Sequence, residues 1–411
     1  MTTQERTDLF SKVDRLVRDR YFDPKFNGKN WPALVEKHRS RIEGAGTDEV
    51  FEAEVNSLLH LLGTSHTHFF NPRRSRIPSR SSINATFKAV TVDGIARWVF
   101  QDVAPGGPAD RAGIQPGDVL VSLNKQPIAP PEAPDFRMGS SAAISAIHRN
   151  GELRELSFNV AIPDAKYAEQ PYAEPRSVTS SILEGGIAYV KVTMFPGKIG
   201  IDFAKAVDQA FLSVRPCERL ILDLRGNPGG GIGGLRLMSY LTPDKVAVGY
   251  SLTRKRSESG YKREDLRTFD GIPSNKLMLP LLVLRFLGRD MSVVVRTEGL
   301  GSQPFHGKIA VLVNEHTAGA AEMVTGFVKE NQLGKIVGTK TAGRLLGGSG
   351  FKVGHGYTLM IPVGCYLSWE GKRYEGDGIE PDVVVDWSAE AVTHGRDSQL
   401  QEAIRTVCRS V

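Results

Sequence analysis

The sequence predicts an α/β chain of two or three domains, with a layered strand–helix core preceded by a helical start and a β-rich insert. Three observations carry that expectation. Residues 1–80 space apolar side chains three and four apart, residues from about 84 to 161 alternate as short strands between Gly/Pro turns, and from 185 onward apolar strands alternate with helices. A chain of 411 residues is also too long for one ordinary domain.

The segments TDLFSKVDRLVRDRYF and DEVFEAEVNSLLHLLG read as helices, the second opening on Asp48 with acidic residues where a helix N-terminus favours them. IPSRSSIN, residues 77–84, reads as a polar connector. The strands NATFKAVTV, ARWVFQDV, DVLVSLN and LRELSFNV follow, and between them lies APGGPADRAGIQPGDVLVSLNKQPI, residues 104–128: turn, short helix, Gly/Pro turn, strand. That stretch resembles a PDZ domain, its core being Gly-Ile-x-Pro-Gly-Asp-Val-Leu at 113–120. The resemblance implies a small β-rich module, here 84–161, that captures an extended peptide by strand addition. Further on, GIAYVKVTMF, RLILDLRGN, KIAVLVNE and KIVGTK read as strands, with a helix through AAEMVTGFVKEN. RLILDL is nearly all apolar, as in a strand buried on both faces. After 350 the pattern is β-rich again, in YTLMIPVG, CYLSWEGKRYEG and PDVVVD.

The apolar fraction of 40% and charged fraction of 24% are those of a globular protein. Cys217, Cys365 and Cys408 are odd in number and widely spaced, which indicates neither a disulfide framework nor a zinc site. MTTQERTDLF lacks the apolar core of a signal peptide, and LMLPLLVLRFLG at 277–288 is too short to span a bilayer. A cytoplasmic protein with no membrane partner is therefore expected. The net charge of +6 is modest, and the basic run TRKRSESGYKRED at 253–265 is broken by acids and has one aromatic residue. It reads as a solvated loop or lid, and no nucleic-acid partner is expected.

Certain short stretches carry the chemistry. Asp223-Leu-Arg-Gly-Asn-Pro-Gly-Gly-Gly231 ends a buried strand, and its glycines let backbone N–H groups approach a ligand. It lacks the Gly-Lys-Ser/Thr ending of a phosphate loop. VNEHTAGAAEMV, 313–324, turns from strand to helix, where ligands gather in open α/β folds, and puts Gly319 at the junction. GTSHTHFF, 63–70, carries Ser65, His66 and His68; the two histidines, read as sharing one strand face, come with no third metal ligand. Glu375 sits in the Gly-rich turn of KRYEGDGIEPD.

Taken in order, the Ser-His after the helical start, the PDZ module, DLRGNPGGG, VNEHTAGAAE, VGTKTAG and GDGIEPD resemble the C-terminal processing peptidases and the related tricorn core, over essentially the whole chain. The resemblance implies a crotonase- or ClpP-like α/β core with a β-rich cap. The division would be an N-terminal helical domain at 1–80, the PDZ insert, and a peptidase core at 165–411 with a lid, cap or oligomer-contact insertion at 245–306. In one branch of the family a serine works with a lysine. Here that lysine position corresponds to Arg344, which cannot lose its proton, and Lys340 is out of register. The chain therefore resembles the tricorn branch, with a Ser/His/Ser/Glu tetrad. That makes His66 the general base, Ser65 and Glu375 its orienting partners, and the backbone N–H groups of Gly229 or Gly230 and of Ala320 the oxyanion hole.

The departure is at the nucleophile. Gly319 stands where the resemblance puts serine, and Thr317 is expected to point elsewhere. The function expected is a serine endopeptidase of the tail-specific type, acting on extended polypeptides without metal or organic cofactor, inactivated at Gly319. The alternative is a natural peptide-binding pseudopeptidase. A peptide or unfolded polypeptide is the expected partner, and a homo-oligomer is compatible.

Overall fold

The computed structural model describes residues 1–72, 76–92, 94–137, 139, 141–148, 150–160, 176–286, 290–301 and 304–409. Residues 287–288 of the apolar run LMLPLLVLRFLG lie outside them. The fold is α/β and divides into two compact units, each assembled from separated stretches of chain.

The first unit comprises Met1–Arg74, Val246–Arg296 and Gly343–Asp377. Helix Thr3–Arg20 begins at a capping box, with Thr2 Oγ1 accepting from Glu5 N–H and Glu5 accepting from Thr2 N–H. Its apolar side Leu9, Phe10, Val13 and Val17 is buried. Asn30 caps Trp31–Glu43 and Thr47 caps Asp48–His60. The helix at Trp31 has a less regular apolar pattern than its neighbours, and its clearest sequence signals are the Asn30 cap and Pro32 in the first turn. These helices cover a sheet ordered His68–Phe70, Tyr357–Ser368, Ala247–Thr253, Val293–Arg296, Arg267–Phe269, with Leu346–Gly354 also paired to Tyr357–Ser368. The core between them includes Phe10, Trp31, Phe51, Phe69 and Leu359, all fully buried. YTLMIPVG and the first four residues of CYLSWEGKRYEG, two stretches of the expected β-rich region, form the single strand Tyr357–Ser368.

The second unit comprises Ser75–Lys245, Thr297–Ala342 and Gly378–Val411. Its β-rich part is a sheet ordered Ala85–Val92, Ile95–Val103, Val119–Leu123, Ser141–Ile147, Leu153–Asn159. Ser141–Ile147 was missed from the sequence because five of its seven residues are serine or alanine, leaving only Ile144 and Ile147 to signal a strand. The expected connector at 77–84 is in fact structured: Arg76–Pro78 pairs with Asp135–Arg137, and Ser79–Ser82 forms a helical turn.

The remaining sheet of the second unit runs Val178–Leu183, Ile187–Val192, Arg219–Asp223, Lys308–Val313, Lys335–Gly338, Val383–Val384. Every pairing from Ile187–Val192 onward is parallel. Leu220–Leu222 and Ala310–Val313 are fully buried, which accounts for their continuous apolar sequence. The strand ends Asp223 and Val313 feed the two glycine-containing turns of the candidate site.

Candidate active site

In the second unit, strand Lys308–Val313 leads through Asn314–Ala318 into helix Ala320–Glu330. Gly319 is the residue before the helix, with φ 57° and ψ −125°. An L side chain is strained there, as at the sharp strand-to-helix elbows that present a nucleophile. Its N–H donates to Glu322 Oε2 at 3.1 Å, and Glu322 Oε1 accepts from Thr341 Oγ1 at 2.7 Å, so a fully buried carboxylate holds the turn. Thr317 is also fully buried; its Oγ1 donates to Leu224 O and accepts from Asn314 N–H, both at 2.9 Å. It is a brace of the turn, facing away from solvent.

The glycine loop packs against this turn. Ala318 N–H donates to Asn227 O at 2.8 Å, and Asn314 Oδ1 accepts from Gly226 N–H at 3.0 Å. A Cβ on Gly229, where φ is +90°, would lie 2.8 Å from both Ala318 O and Ala320 N, so only glycine allows this approach. The two candidate oxyanion donors on the loop are not equivalent. Gly229 N–H is committed to Asn227 Oδ1 at 2.8 Å, whereas Gly230 N–H and Ala320 N–H donate no hydrogen bond among the described residues. Of the two, Gly230 is therefore the one whose N–H is unspent among the described residues. The backbone-fixing role of Asn227, whose Nδ2 also donates to Val192 O at 2.9 Å, was not read from the sequence; its one signal was a polar residue flanked by Gly and Pro.

The stem of the loop is held electrostatically. Arg225 makes a paired contact to Asp223 (Nε to Oδ1 3.0 Å, Nη2 to Oδ2 2.8 Å) and reaches both carboxylate oxygens of Asp397. Burial opposes the charge on Asp223, but Arg225 and Lys191 outweigh it and hold the carboxyl well below its usual range.

In the first unit, the chain leaves helix Asp48–His60 and makes a turn before strand His68–Phe70. Asn56 pins the two together, accepting from Phe69 N–H at 2.8 Å and donating to Phe69 O at 2.7 Å. His66 lies in the turn at φ 60°, open to solvent on one side and packed against the backbone at Gly348 on the other, and the strand begins only at His68. The expectation that both histidines share one strand face is therefore wrong, because the left-handed residue breaks the alternation. Among the described residues no group of three or more His, Cys, Asp or Glu is arranged to hold a metal ion.

Ser65 and His66 meet Glu375, 310 positions from Ser65 in sequence. Ser65 N–H donates to Glu375 Oε1 at 2.6 Å, Ser65 Oγ donates to Glu375 Oε2 at 2.9 Å, and Ser65 Oγ lies 2.8 Å from His66 Nδ1. The serine hydroxyl has one proton, and it goes to the carboxylate. Ser65 Oγ therefore accepts from Nδ1–H, and Nε2 is left as the basic nitrogen. Nε2 has no hydrogen bond among the described residues. Desolvation lowers the imidazole pKa below 6.5; Glu375 opposes this and the Arg344 guanidinium reinforces it. Gly348 lets the ring lie close, since a Cβ there would be 2.7 Å from His66 Cδ2. Lys340, by contrast, is spent on a surface pair with Glu380 at 2.8 Å.

Comparisons with known proteins agree with this frame. Residues 186–385 match the model of peptidase family S41, residues 99–137 that of a PDZ domain, and residues 2–56 that of the tricorn protease C1 domain. The chain is 23% identical to a putative tricorn protease homolog 2 of Streptomyces coelicolor over 98% of its own length but 32% of that protein's. It is 25% identical to carboxyl-terminal-processing peptidase 3 of Arabidopsis thaliana (93% and 69% covered) and 24% identical to a carboxyl-terminal-processing protease of Synechocystis (97% and 86%). Among solved structures, a photosystem II D1 C-terminal processing protease superposes with TM-score 0.56 at 21% identity, covering 100% of this chain and 98% of the other. Mature CPAF complexed with lactacystin superposes with TM-score 0.61 at 13% identity, covering 99% and 98%, a likeness of fold.

The class these features define is an α/β peptidase frame carrying a PDZ domain. Residues 186–385 match peptidase family S41, and the chain is similar over nearly its whole length to carboxyl-terminal-processing peptidases.

Proposed function

We propose that this chain is a tail-specific serine endopeptidase frame of the Ser/His/Ser/Glu type whose nucleophile position is occupied by Gly319. The observation that carries the reading is the Glu375–Ser65–His66 relay, hydrogen-bonded throughout and leaving Nε2 as base. Its counterpart is the elbow at Gly319, with the Gly230 and Ala320 N–H groups unspent. His66 is assigned as general base, Ser65 and Glu375 as its positioning partners, and Gly230 and Ala320 as oxyanion donors.

With a hydroxyl introduced at 319, the step is ordinary acyl transfer. In the arrangement that the family resemblance implies, His66 Nε2 takes the hydroxyl proton as the oxygen attacks the peptide carbonyl, and the two N–H groups hold the resulting oxyanion. The imidazolium then protonates the leaving amine, and water, deprotonated by the same nitrogen, releases the acyl group. Losing the nucleophile costs on the order of a million-fold in subtilisin, so the chain as it stands is expected to be inactive or nearly so. The substrate class is an extended or unfolded polypeptide, in keeping with the PDZ domain.

The test is hydrolysis of casein by Gly319→Ser, by Gly319→Ser/His66→Ala, and by the unmodified chain. Cleavage by the first alone supports the reading. The second reading, a peptide-binding pseudopeptidase, is favoured by Gly319 itself. It predicts peptide binding by the unmodified chain and no hydrolysis by the serine variant, an outcome that sinks the first.

A further inference from the structure

Residues 246–296 concentrate two features that the peptidase reading does not use. They contain ten Lys and Arg against five Asp and Glu, and so supply +5 of the chain's formal +6. They also contain six of the fourteen exposed large apolar side chains described, in about an eighth of the sequence.

The apolar excess centres on helix Leu279–Phe286 and the 3₁₀ turn Lys276–Met278 before it. Leu277, Leu281 and Leu284, at spacings of four and three, form one stripe and are 89%, 65% and 65% exposed. Leu279 and Leu282, elsewhere around the helix, are half-buried. A helix apolar on more than its packed side belongs against a second apolar medium.

Charge selects that medium. Lys255 and Lys262 are exposed on the segment preceding the helix. Asp290, just beyond the helix, accepts from Thr253 Oγ1 at 2.5 Å and lies 3.8 Å from Arg256 Nε, tying the basic stretch to the apolar one. Tyr261 and Trp369 are each about two-fifths exposed, and the Arg263 guanidinium lies 4.6 Å over the Trp369 ring. Half-wet aromatic rings beside basic residues suit the boundary between lipid headgroups and acyl chains. A second copy of the chain would set +5 against +5, and the leucine stripe carries no aromatic anchor of the kind that dominates protein interfaces.

We infer that residues 246–296 seat the chain on an anionic lipid surface, the Leu277/Leu281/Leu284 stripe entering the headgroup boundary while the lysines neutralise the headgroups. This departs from the expectation of no membrane partner. That expectation rested on a run too short to cross a bilayer, whereas a helix lying in the interface has no such length requirement. The inference is independent of whether residue 319 is reactive.

The experiment is co-sedimentation of the full chain with phosphatidylcholine vesicles, with and without phosphatidylglycerol, at low and high salt. Binding is expected only with phosphatidylglycerol and is expected to weaken with salt. Leu281→Ser/Leu284→Ser and Lys255→Glu/Lys262→Glu should each weaken partitioning by about tenfold or more. Both pairs alter exposed side chains, and an unchanged melting curve verifies that the fold is intact. The inference is overturned if the chain stays in the supernatant with anionic vesicles, or if the leucine variant binds as well as the unmodified chain. It is equally overturned if the chain is a dimer that the leucine variant dissociates while no vesicle binding is seen, because a second copy then covers the stripe.

Discussion

At the scale of single residues, Gly319 and His66 both occupy left-handed backbone, and both conformations have consequences that can be measured. Replacing Gly319 by serine introduces a side chain at φ 57°, so restored chemistry should cost stability, on the order of 1–3 kcal/mol. Thermal melting of Gly319→Ser against the unmodified chain checks this, and an equal or higher melting temperature would contradict it. His66 is held below 6.5 by desolvation and by Arg344, against the pull of Glu375. The neutral, basic form is therefore favoured in the fold: its contribution to stability is fully present above pH 6.5 and is lost as pH falls through the lower folded value. Hydrolysis by Gly319→Ser should follow the same direction, with a plateau above pH 6.5 and an acid limb whose midpoint lies below it. A pH–rate profile with an acid-limb midpoint above 6.5 would assign the base elsewhere. The residue types were legible in the sequence, but only the family resemblance paired them, since Glu375 lies 310 positions from Ser65 and by itself looks like any carboxylate in a turn.

At the scale of elements, the first unit orients its imidazole with neighbouring strands. Strand Leu346–Gly354 passes so close to His66 that Gly348 has no room for a methyl group. Gly348→Ala must push the ring away from its bond to Ser65. In a Gly319→Ser background it should lower kcat by about tenfold or more while leaving KM nearly unchanged, because a small displacement of a base costs rate before it costs binding. Steady-state kinetics separates the two; a change confined to KM would remove the positioning role. The strand was outside the sequence reading, where LGGSGFKVG has too many glycines to declare itself. In the second unit Arg219–Asp223 and Lys308–Val313 were plain, because Leu220–Leu222 and Ala310–Val313 are buried on both faces and so need no alternation.

At the scale of the whole molecule, the chain leaves and re-enters each unit repeatedly, and an insertion expected as a lid or cap contributes to a sheet. Strand Ala247–Thr253 lies between Tyr357–Ser368 and Val293–Arg296. Replacing residues 246–296 by a Gly/Ser linker should therefore expose the edge of Tyr357–Ser368 and destabilise the first unit, including the Ser65–His66 turn. Hydrogen exchange should show protection lost in 357–368 and in the N-terminal helices but retained in Arg219–Asp223 and Lys308–Val313. Retained protection throughout would mean that the segment is an appendage.

By itself the sequence determined the order of helical, β-rich and α/β stretches, because periodicity and turn chemistry are local properties of neighbouring residues. It also determined that residue 319 has no nucleophilic atom. Only the tertiary structure decided which of two adjacent glycine N–H groups is unspent, which nitrogen of His66 is basic, and that the apolar stripe near 281 faces water. Each of those depends on three-dimensional placement: the Asn227 side chain turned back onto the loop two residues on, the carboxylate of Glu375, 310 positions away, claiming the proton of Ser65, and the folded surroundings that leave Leu277, Leu281 and Leu284 exposed.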